Sequence, residues 1–265
     1  MPAARLFHTD SGAGATHSAA VLLVHGWGGD GREWSPHAEA LNAEGFRTIV
    51  PDLRGHGRSP VPHAGNTPAE MAHDLAALLT ALDAGPVVAV GHSMGGQVVN
   101  LLAVHHPHTV RSVITLDPAH GAPEDERDSM RHNLAVYRDR GAAAAAAFVS
   151  GAFTAHSPLG LRTAHVRTML GTPGHVIAQA YAGMYLDPGA TGLRPETEAL
   201  LRRRTQPALT VWSSAPFAAW ERTTLRVPGS RVDHWPATGH YLHEEHQDRT
   251  IRLIQDWAET NGEAP

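Results

Sequence analysis

The sequence predicts an α/β protein in which helices flank a mostly parallel central sheet. Short β-branched apolar runs such as Val21–Val24 recur along the chain and end at turn residues, as strands buried on both faces of a parallel sheet do. Helical segments separate these runs, and strands that alternate with helices form right-handed βαβ units. The alternation is interrupted once, between about residues 121 and 205, where helical segments occur without a convincing strand.

Six apolar runs are predicted as strands. In chain order they are Val21–Val24, Phe46–Val50, Pro86–Val90, Val110–Leu116, Ala208–Trp212 and Ser230–Trp235. A helix is predicted after the second run, because Thr67 can cap it, Pro68 suits its first position and Glu70 completes a capping box. A last amphipathic helix is expected from about Glu244 to Glu259, with its apolar residues on one face.

The interruption predicts one domain with an inserted helical cap. Residues 1–120 and 206–265 would form the α/β core, and residues 121–205 would form the cap, which includes the helical segment Ala142–Ala147. A chain of 265 residues with 42% hydrophobic residues is long enough to bury a core of this size.

Composition narrows the classes of function. The formal net charge is −5, which does not favour a nucleic acid or an anionic membrane as a partner. The chain has no cysteine, so disulfides, zinc–thiolate sites and a cysteine nucleophile are excluded. We find neither a signal-peptide pattern nor an apolar stretch of about 18 residues. We therefore expect a cytoplasmic monomer or homodimer that does not bind membranes.

The segment Gly91-His-Ser93-Met-Gly95 matches the G-x-S-x-G pattern of a serine nucleophile. It follows a predicted strand and precedes a predicted helix, Gln97–Ala103, which is the context that gives the pattern its meaning. A turn this sharp strains the serine backbone and crowds its neighbours, so glycine is needed on either side. The amino end of the following helix stabilises negative charge that develops nearby.

Together with three other segments, this motif resembles the α/β-hydrolase fold superfamily. His25-Gly26-Trp27 resembles the oxyanion loop of that family, and Asp52–Ser59 resembles its D-x-R-G-x-G-x-S turn. Ala237-Thr-Gly-His240 resembles its catalytic-histidine loop. The four segments occur in the family's order, and the resemblance covers nearly all of the chain outside the cap. It implies an α/β-hydrolase fold with a catalytic triad.

The resemblance also implies roles for individual residues. Ser93 would be the nucleophile and His240 the base that activates it. The backbone amides of Trp27 and Met94 would form the oxyanion hole, in which each donor is worth about 2.7–4 kcal/mol.

Four further residues are expected near the substrate: His25, Gly26, Met184 and Tyr185. We expect His25 mainly to order its loop by hydrogen bonding, and the two cap residues to line an apolar pocket. No cofactor and no metal are implied. The two histidines of His243-Glu-Glu-His246 are three residues apart with no third ligand indicated, so this segment is interpreted as the start of the last helix.

The family often places the catalytic acid after the strand that corresponds to Ala208–Trp212. Here the following loop, Ser213–Phe217, contains no carboxylate, and neither Glu221 nor Asp233 is well placed. Asp117 ends the strand that follows the nucleophile's βα unit, at the carboxyl edge of the sheet, and keeps the chain order Ser, Asp, His. Haloalkane dehalogenases and fungal zearalenone lactonases also place the acid after this strand. We predict Asp117 as the acid, and a helix-capping role is the alternative.

These residues predict a serine hydrolase that cleaves a carboxylic ester or lactone through an acyl-enzyme, on a medium-sized apolar substrate. A serine nucleophile argues against dehalogenase and epoxide hydrolase chemistry. Leu23–Trp27 and Ile49–Pro60 also resemble cofactor-independent dioxygenases that open quinolone rings, although Met94 stands where those enzymes have histidine. That activity is one alternative, and a non-enzymatic ligand receptor on a hydrolase scaffold is the second.

Overall fold

A computed structural model describes residues 2–12, 15, 17, 19–155 and 157–261. Within these residues seven strands form one sheet in the order β1-β3-β2-β4-β5-β6-β7. The strands are β1 His8–Asp10, β2 Val21–Val24, β3 Thr48–Pro51, β4 Val87–His92, β5 Val110–Leu116, β6 Ala208–Trp212 and β7 Arg231–His234. β1 pairs antiparallel with β3, and the other neighbouring strands pair in parallel. The first and last residues of the predicted α/β core domain, Met1 and 262–265, lie outside the described residues.

The prediction of a mostly parallel α/β sheet is confirmed, and each of the six predicted strands is present. Three of them differ from the prediction at their ends, since β3 is Thr48–Pro51, β4 is Val87–His92 and β7 is Arg231–His234. β1 was not predicted because it has three residues, of which none is buried, and so it lacks an apolar run.

Helices cover both faces of the sheet. They are α1 Ser35–Ala43, α2 Pro68–Ala81, α3 Met94–His105, α4 Arg127–Ser150, α5 Leu161–Gly171, α6 Gly174–Tyr185, α7 Arg194–Leu201, α8 Ala215–Arg222, α9 Leu242–Glu245 and α10 Gln247–Asn261. Short 3₁₀ helices lie at Gly31–Trp34, Pro107–Thr109 and Glu124–Glu126. Among the helices that the structure describes, none is both long and apolar enough to cross a bilayer.

Successive residues of β2 show how the sheet is buried. Leu22 and Val24 pack in the core formed with α2 and α3, whereas Val21 and Leu23 pack in the core formed with α1 and α10. All four side chains are fully buried, because the side chains of a strand alternate between two faces and helices cover both.

The two predicted helix boundaries have different outcomes. The side chain of Thr67 accepts a hydrogen bond from the Glu70 amide at 3.4 Å, and Pro68 begins α2, as the capping pattern predicts. The last helix is not continuous from Glu244, as expected, because His246 leaves the helical conformation with φ −127° and ψ 53°. The chain therefore forms the short helix α9, then turns and begins α10.

Between β5 and β6 the chain forms the helices α4 to α7, which we call the helical insertion. Its longest helix, α4, bends at Gly141, which adopts φ 54° and ψ −138°. A Cβ atom at this position would lie 3.3 Å from the Cα of Gly174, where α6 begins. Glycine is needed at Gly141 because its backbone is left-handed and α6 approaches closely. The predicted Ala142–Ala147 segment forms the second half of α4.

Candidate active site

Ser93 occupies the sharp turn between β4 and α3, with φ 52° and ψ −118°. A non-glycine residue in such a conformation costs about 1–3 kcal/mol and is found where a function holds it in place. A Cβ atom at Gly91 would lie 2.2 Å from the carbonyl oxygen of Gly95, and one at Gly95 would lie 2.4 Å from the carbonyl oxygen of Val24. Both positions of the motif therefore require glycine, because backbone atoms of other residues approach too closely to leave room for a Cβ atom.

His240 and Asp117 form a hydrogen-bonded pair. His240 Nδ1 lies 2.7 Å from Asp117 Oδ2, and since an ionised carboxylate only accepts, Nδ1 carries the proton. The neutral imidazole then keeps its lone pair on Nε2, the atom that a general base uses. Burial raises the pKa of Asp117, but His240 and Ser213 outweigh burial and hold the pKa below its ordinary value. The carboxylate is therefore ionised at neutral pH.

The loop after β6 holds the second oxygen of the same carboxylate. Asp117 Oδ1 accepts hydrogen bonds from the backbone amide of Ser213 at 2.9 Å and from its hydroxyl at 2.8 Å. Both carboxylate oxygens are therefore oriented by hydrogen bonds. Ser213 is a positioning residue that the sequence analysis did not identify.

The other carboxylate in this region points away from His240. Glu221, in α8, accepts hydrogen bonds from the Thr210 hydroxyl at 2.6 Å and the Trp212 indole N–H at 2.7 Å. His120 Nε2 lies 3.2 Å from its second oxygen. Glu221 is fully buried with these partners, so it stabilises the junction of β6 and α8.

The predicted oxyanion loops flank Ser93. A Cβ atom at Gly26 would lie 3.2 Å from Ser93 Cβ, so the loop after β2 packs directly against the nucleophile turn. Met94 is the first residue of α3, where a backbone N–H has no acceptor within the helix. The Trp27 indole N–H donates to the Ile177 carbonyl of the helical insertion at 3.2 Å. Binding of an oxyanion by the Trp27 and Met94 amides stays a prediction.

His25 lies outside the cavity that contains Ser93 and is fully buried. Its Nε2 accepts a hydrogen bond from the Leu53 amide at 2.9 Å, and its Nδ1 donates to the Gly26 carbonyl at 2.8 Å. Both ring nitrogens order the loop by hydrogen bonding, which is the main role expected for His25, and contact of His25 with a substrate stays a prediction. Gly26 is likewise buried and is not among the residues that line the cavity.

The histidine loop is held on two sides. His92 Nε2 donates to the backbone carbonyl of His240 at 3.0 Å, and the backbone amide of His240 donates to the Ala152 carbonyl of the helical insertion at 3.1 Å. The amide of Gly239 donates to Glu245 at 2.7 Å. The backbone that carries the imidazole is therefore bound both to the residue before the nucleophile and to the insertion.

Ser93, Asp117 and His240 line one cavity of about 350 Å³. The helical insertion contributes mostly apolar and aromatic side chains to it, namely Met130, Phe148, Tyr181, Met184 and Tyr185. Polar side chains also line it, namely Ser129 and Asn133 of α4 and Glu126 of the 3₁₀ helix just before α4. Met184 and Tyr185 thus lie where the sequence analysis expected them. The cavity is large enough for a medium-sized substrate with an apolar part.

The model of the alpha/beta hydrolase fold family matches residues 19–171, more than half of the chain. This chain belongs to that family. Among curated relatives of this α/β hydrolase, Lipase LipV of Mycobacterium tuberculosis is 42% identical over 106 residues, which is 40% of each chain. The chain covers two fifths or less of the length of the first curated relatives that it matches.

Solved structures resemble this α/β hydrolase over almost its whole length. A thermophilic esterase from Thermogutta terrifontis is 28% identical, with a TM-score of 0.80 over 96% of this chain and 93% of that one. The enol-lactonase from Burkholderia xenovorans LB400 has a TM-score of 0.79 over 96% of each chain, and at 21% identity it shows the fold alone. The lipase and esterase relatives support a hydrolase.

Proposed function

We propose that this protein is a serine hydrolase that cleaves a carboxylic ester or a lactone through an acyl-enzyme on Ser93. The observation that carries the proposal is the 2.7 Å contact between Asp117 and His240 in the cavity that Ser93 also lines. A buried, ionised acid that orients the imidazole is the arrangement that activates a serine. The names of the lipase and esterase relatives support the same class of reaction.

In the first half of the proposed reaction, Ser93 Oγ attacks the substrate carbonyl carbon while its proton passes to His240 Nε2. Asp117 stabilises the imidazolium that forms, and the amides of Trp27 and Met94 donate to the oxyanion. The carbon–oxygen bond to the leaving group then breaks, and His240 gives the proton to the departing alkoxide. In a lactone the ester is part of a ring, so the alcohol that leaves would stay attached to the acyl chain.

In the second half, a water molecule attacks the acyl carbonyl and gives its proton to His240. The second tetrahedral intermediate uses the same oxyanion donors and collapses to the carboxylic acid, and the proton returns to Ser93. The base therefore acts twice, and its orientation by Asp117 matters in both steps.

The cavity supports a medium-sized substrate with an apolar or aromatic part. Its volume of about 350 Å³ is near the lower end of the range for small-molecule sites, about 300–1,000 Å³. The aromatic side chains of Tyr181 and Tyr185 line it from the helical insertion, and Trp212 and Phe217 line it from the core. We propose that the insertion acts as the cap that selects the acyl or alcohol part.

A panel of p-nitrophenyl esters and lactones, with kcat and KM measured for each, tests the proposal. We expect hydrolysis, and we expect Ser93→Ala to lower kcat by a factor on the order of 10⁶. Ser214→Ala is the matched control, because Ser214 lines the same cavity without belonging to the proposed triad. A fluorophosphonate probe should label wild type at Ser93 and leave Ser93→Ala unlabelled.

Two outcomes would favour the alternatives. Oxygen consumption with a quinolone substrate and no ester turnover would assign the three residues to a dioxygenase, in which His240 deprotonates the substrate. Absence of labelling and of turnover, together with saturable binding of an apolar ligand, would indicate a receptor.

A further inference from the structure

A second group of chemically active side chains lies on the far side of the histidine loop. Glu33, His92 and His243 come from the 3₁₀ helix after β2, the end of β4 and α9, respectively. All three are buried, and one donor atom from each lies within 4.8 Å of the other two. None of the three is among the residues that line the cavity containing Ser93, so the proposed triad does not use them.

Two of the three distances within this group match those of a metal site, and the third, between the two imidazoles, is at most 4.8 Å. Glu33 Oε1 lies 3.4 Å from His92 Nδ1 and 3.6 Å from His243 Nε2. Charge-assisted hydrogen bonds are shorter, about 2.7–2.9 Å. Ligand atoms about 2.0–2.2 Å from a tetrahedral zinc ion lie roughly 3.3–3.6 Å from one another. The two measured distances therefore correspond to two edges of such a tetrahedron.

The hydrogen bonds around His92 determine which of its nitrogens faces Glu33. Its Nε2 donates to the carbonyl of His240, and because a carbonyl can only accept, the neutral ring has its lone pair on Nδ1. That lone pair faces a buried carboxylate oxygen across 3.4 Å. Such an arrangement is unfavourable unless a cation or a proton lies between the two atoms.

Several atoms of the group lack hydrogen-bond partners among the described residues. They are Glu33 Oε2, His92 Nδ1, His243 Nδ1 and His243 Nε2, all of them buried. Buried polar atoms are almost always paired, so a set of unpaired atoms in one place requires an explanation. A bound ion would pair His92 Nδ1 and His243 Nε2 with a positive charge, and would leave Glu33 Oε2 and His243 Nδ1 as they are.

A polar cavity is lined by one member of this group, Glu33. Its volume is about 540 Å³, and Glu33, Asp30 and Glu244 are among the residues that line it. Glu244 Oε2 lies 3.9 Å from His243 Nε2, so a second carboxylate is close to the group. Arg32 also lines this cavity, but its guanidinium is paired with Asp30 at 2.5 Å. Arg167 and His165 line it as well, and His165 is hydrogen-bonded to Glu244. Glu33 is therefore the one carboxylate of this lining that is not paired with a basic side chain lining the same cavity.

We propose that Glu33, His92 and His243 bind a divalent transition-metal ion of the zinc type. Two imidazoles and one carboxylate suit zinc better than calcium or magnesium, which take mostly oxygen ligands. His92 also donates its other ring N–H to a backbone carbonyl, as metal-binding histidines do. The ion would join three distant segments and, through His92, hold the carbonyl of His240. Its role is structural.

The test uses the full-length protein without a histidine tag. We expect about one equivalent of zinc per chain by mass spectrometry, and after chelation and titration with Co²⁺ we expect the intense visible bands of tetrahedral cobalt. Glu33→Gln and His243→Gln should each weaken cobalt binding at least 100-fold. His246→Gln is the matched control, since His246 is on the same segment, packs on Trp235 and lies outside the group.

The outcomes separate this ion from adventitious binding, which is a concern in a chain with 20 histidines. Equal cobalt binding by wild type, Glu33→Gln and His243→Gln would place the metal on surface histidines and overturn the proposal. So would a wild type that holds no metal either as purified or after refolding with Zn²⁺, since a proton would then lie within the group. If both variants fail to fold, the wild-type spectrum decides: tetrahedral bands support the proposal, and octahedral bands overturn it.

Discussion

The ends of β5 and β6 lie side by side in the sheet, yet they carry opposite kinds of side chain. β5 is followed by Asp117, and β6 is followed by Ser213. Leu116, the last residue of β5, pairs in register with Val211, the last residue but one of β6. The backbone amide of Asp117 also donates to the Val211 carbonyl at 2.8 Å. One strand end therefore supplies an anion, and the other supplies the donors that hold it.

This difference explains how an α/β hydrolase can lack an acid after β6. The parallel strands bring the two positions within 2.8 Å of each other, measured from Ser213 Oγ to Asp117 Oδ1. A carboxylate on either strand end would then be near the imidazole of His240. We therefore propose that the place where the two strand ends meet sets the position of the acid, and that either strand can deliver it.

Removing the charge from the β5 end should have the largest effect. Asp117→Asn is expected to lower kcat by a factor on the order of 10⁴, because the imidazole loses the acceptor that orients it. Asparagine tolerates positive φ, so the φ of 44° at this position should be kept. Steady-state kinetics on the best ester measures the effect.

Asp233→Asn is the control for this variant. Asp233 is half-buried at the end of β7 and pairs with Arg231 at 3.5 Å, so its loss should change kcat by less than about twofold. If Asp117→Asn kept native activity and Glu221→Gln lost it, we would conclude that Glu221 is the acid.

Moving the charge to the β6 end should restore part of the activity. In the double variant Asp117→Asn, Ser213→Asp, the new carboxylate would lie beside the amide of residue 117 and face His240. We expect kcat to rise about tenfold or more above that of Asp117→Asn alone. Ser213→Asp alone should be less active than wild type, because two carboxylates would then be crowded together. A double variant no faster than Asp117→Asn would contradict the equivalence of the two strand ends.

Removing only the donor should have a smaller effect. Ser213→Ala deletes one hydrogen bond to the buried carboxylate of Asp117 and keeps the backbone amide bond. A hydrogen bond to a charged group contributes about 1.5–3 kcal/mol, so we expect kcat to fall by about 10- to 150-fold. KM should change little, and Ser214→Ala should leave kcat nearly unchanged. A large change in KM alone would assign Ser213 to substrate binding.

Glu221→Gln should affect stability and leave kcat nearly unchanged. Burial raises the pKa of Glu221, but His120 and the hydrogen bonds from Thr210 and Trp212 hold it below its ordinary value. The stabilisation is therefore present above about pH 4.5, and is lost as the pH falls through the lower pKa of the folded state. We expect the free energy of unfolding of the variant at pH 7 to be about 1.5–3 kcal/mol lower than that of wild type.

Urea unfolding of wild type and Glu221→Gln between pH 7 and pH 3.5 checks this sign. The difference in unfolding free energy should stay constant down to about pH 4.5 and then shrink. A difference that grows on acidification would mean that the native carboxyl is protonated.

Local pattern was sufficient for most of the fold. The strands that pack between two helix layers were predictable because burial on both faces leaves a run of apolar residues, as in β2. The edge strand β1 leaves no such run, and the break at His246 depends on how α9 and α10 pack, which sequence periodicity does not show. The place of Asp117 directly after β5 was predictable from the sequence, and its role as the acid stays a prediction.

Contacts between distant segments were not predictable in the same way. Ser213 is bound to a residue 96 positions away, and the only signal for it was a small polar residue after the strand next to the acid. The group of Glu33, His92 and His243 unites three separate segments. The sequence pattern paired His243 with His246, and nothing in that spacing pointed to Glu33.

The helical insertion is bonded to the loops that frame Ser93. The Ile177 carbonyl accepts from the indole of Trp27, and the Ala152 carbonyl accepts from the amide of His240. A chimera that exchanges this insertion for that of another enzyme must therefore supply two backbone acceptors at matching positions. An insertion chosen only for the shape of its pocket would lack these acceptors, so both loops would lose their hydrogen bonds. Such a chimera would have altered selectivity and also a lower kcat.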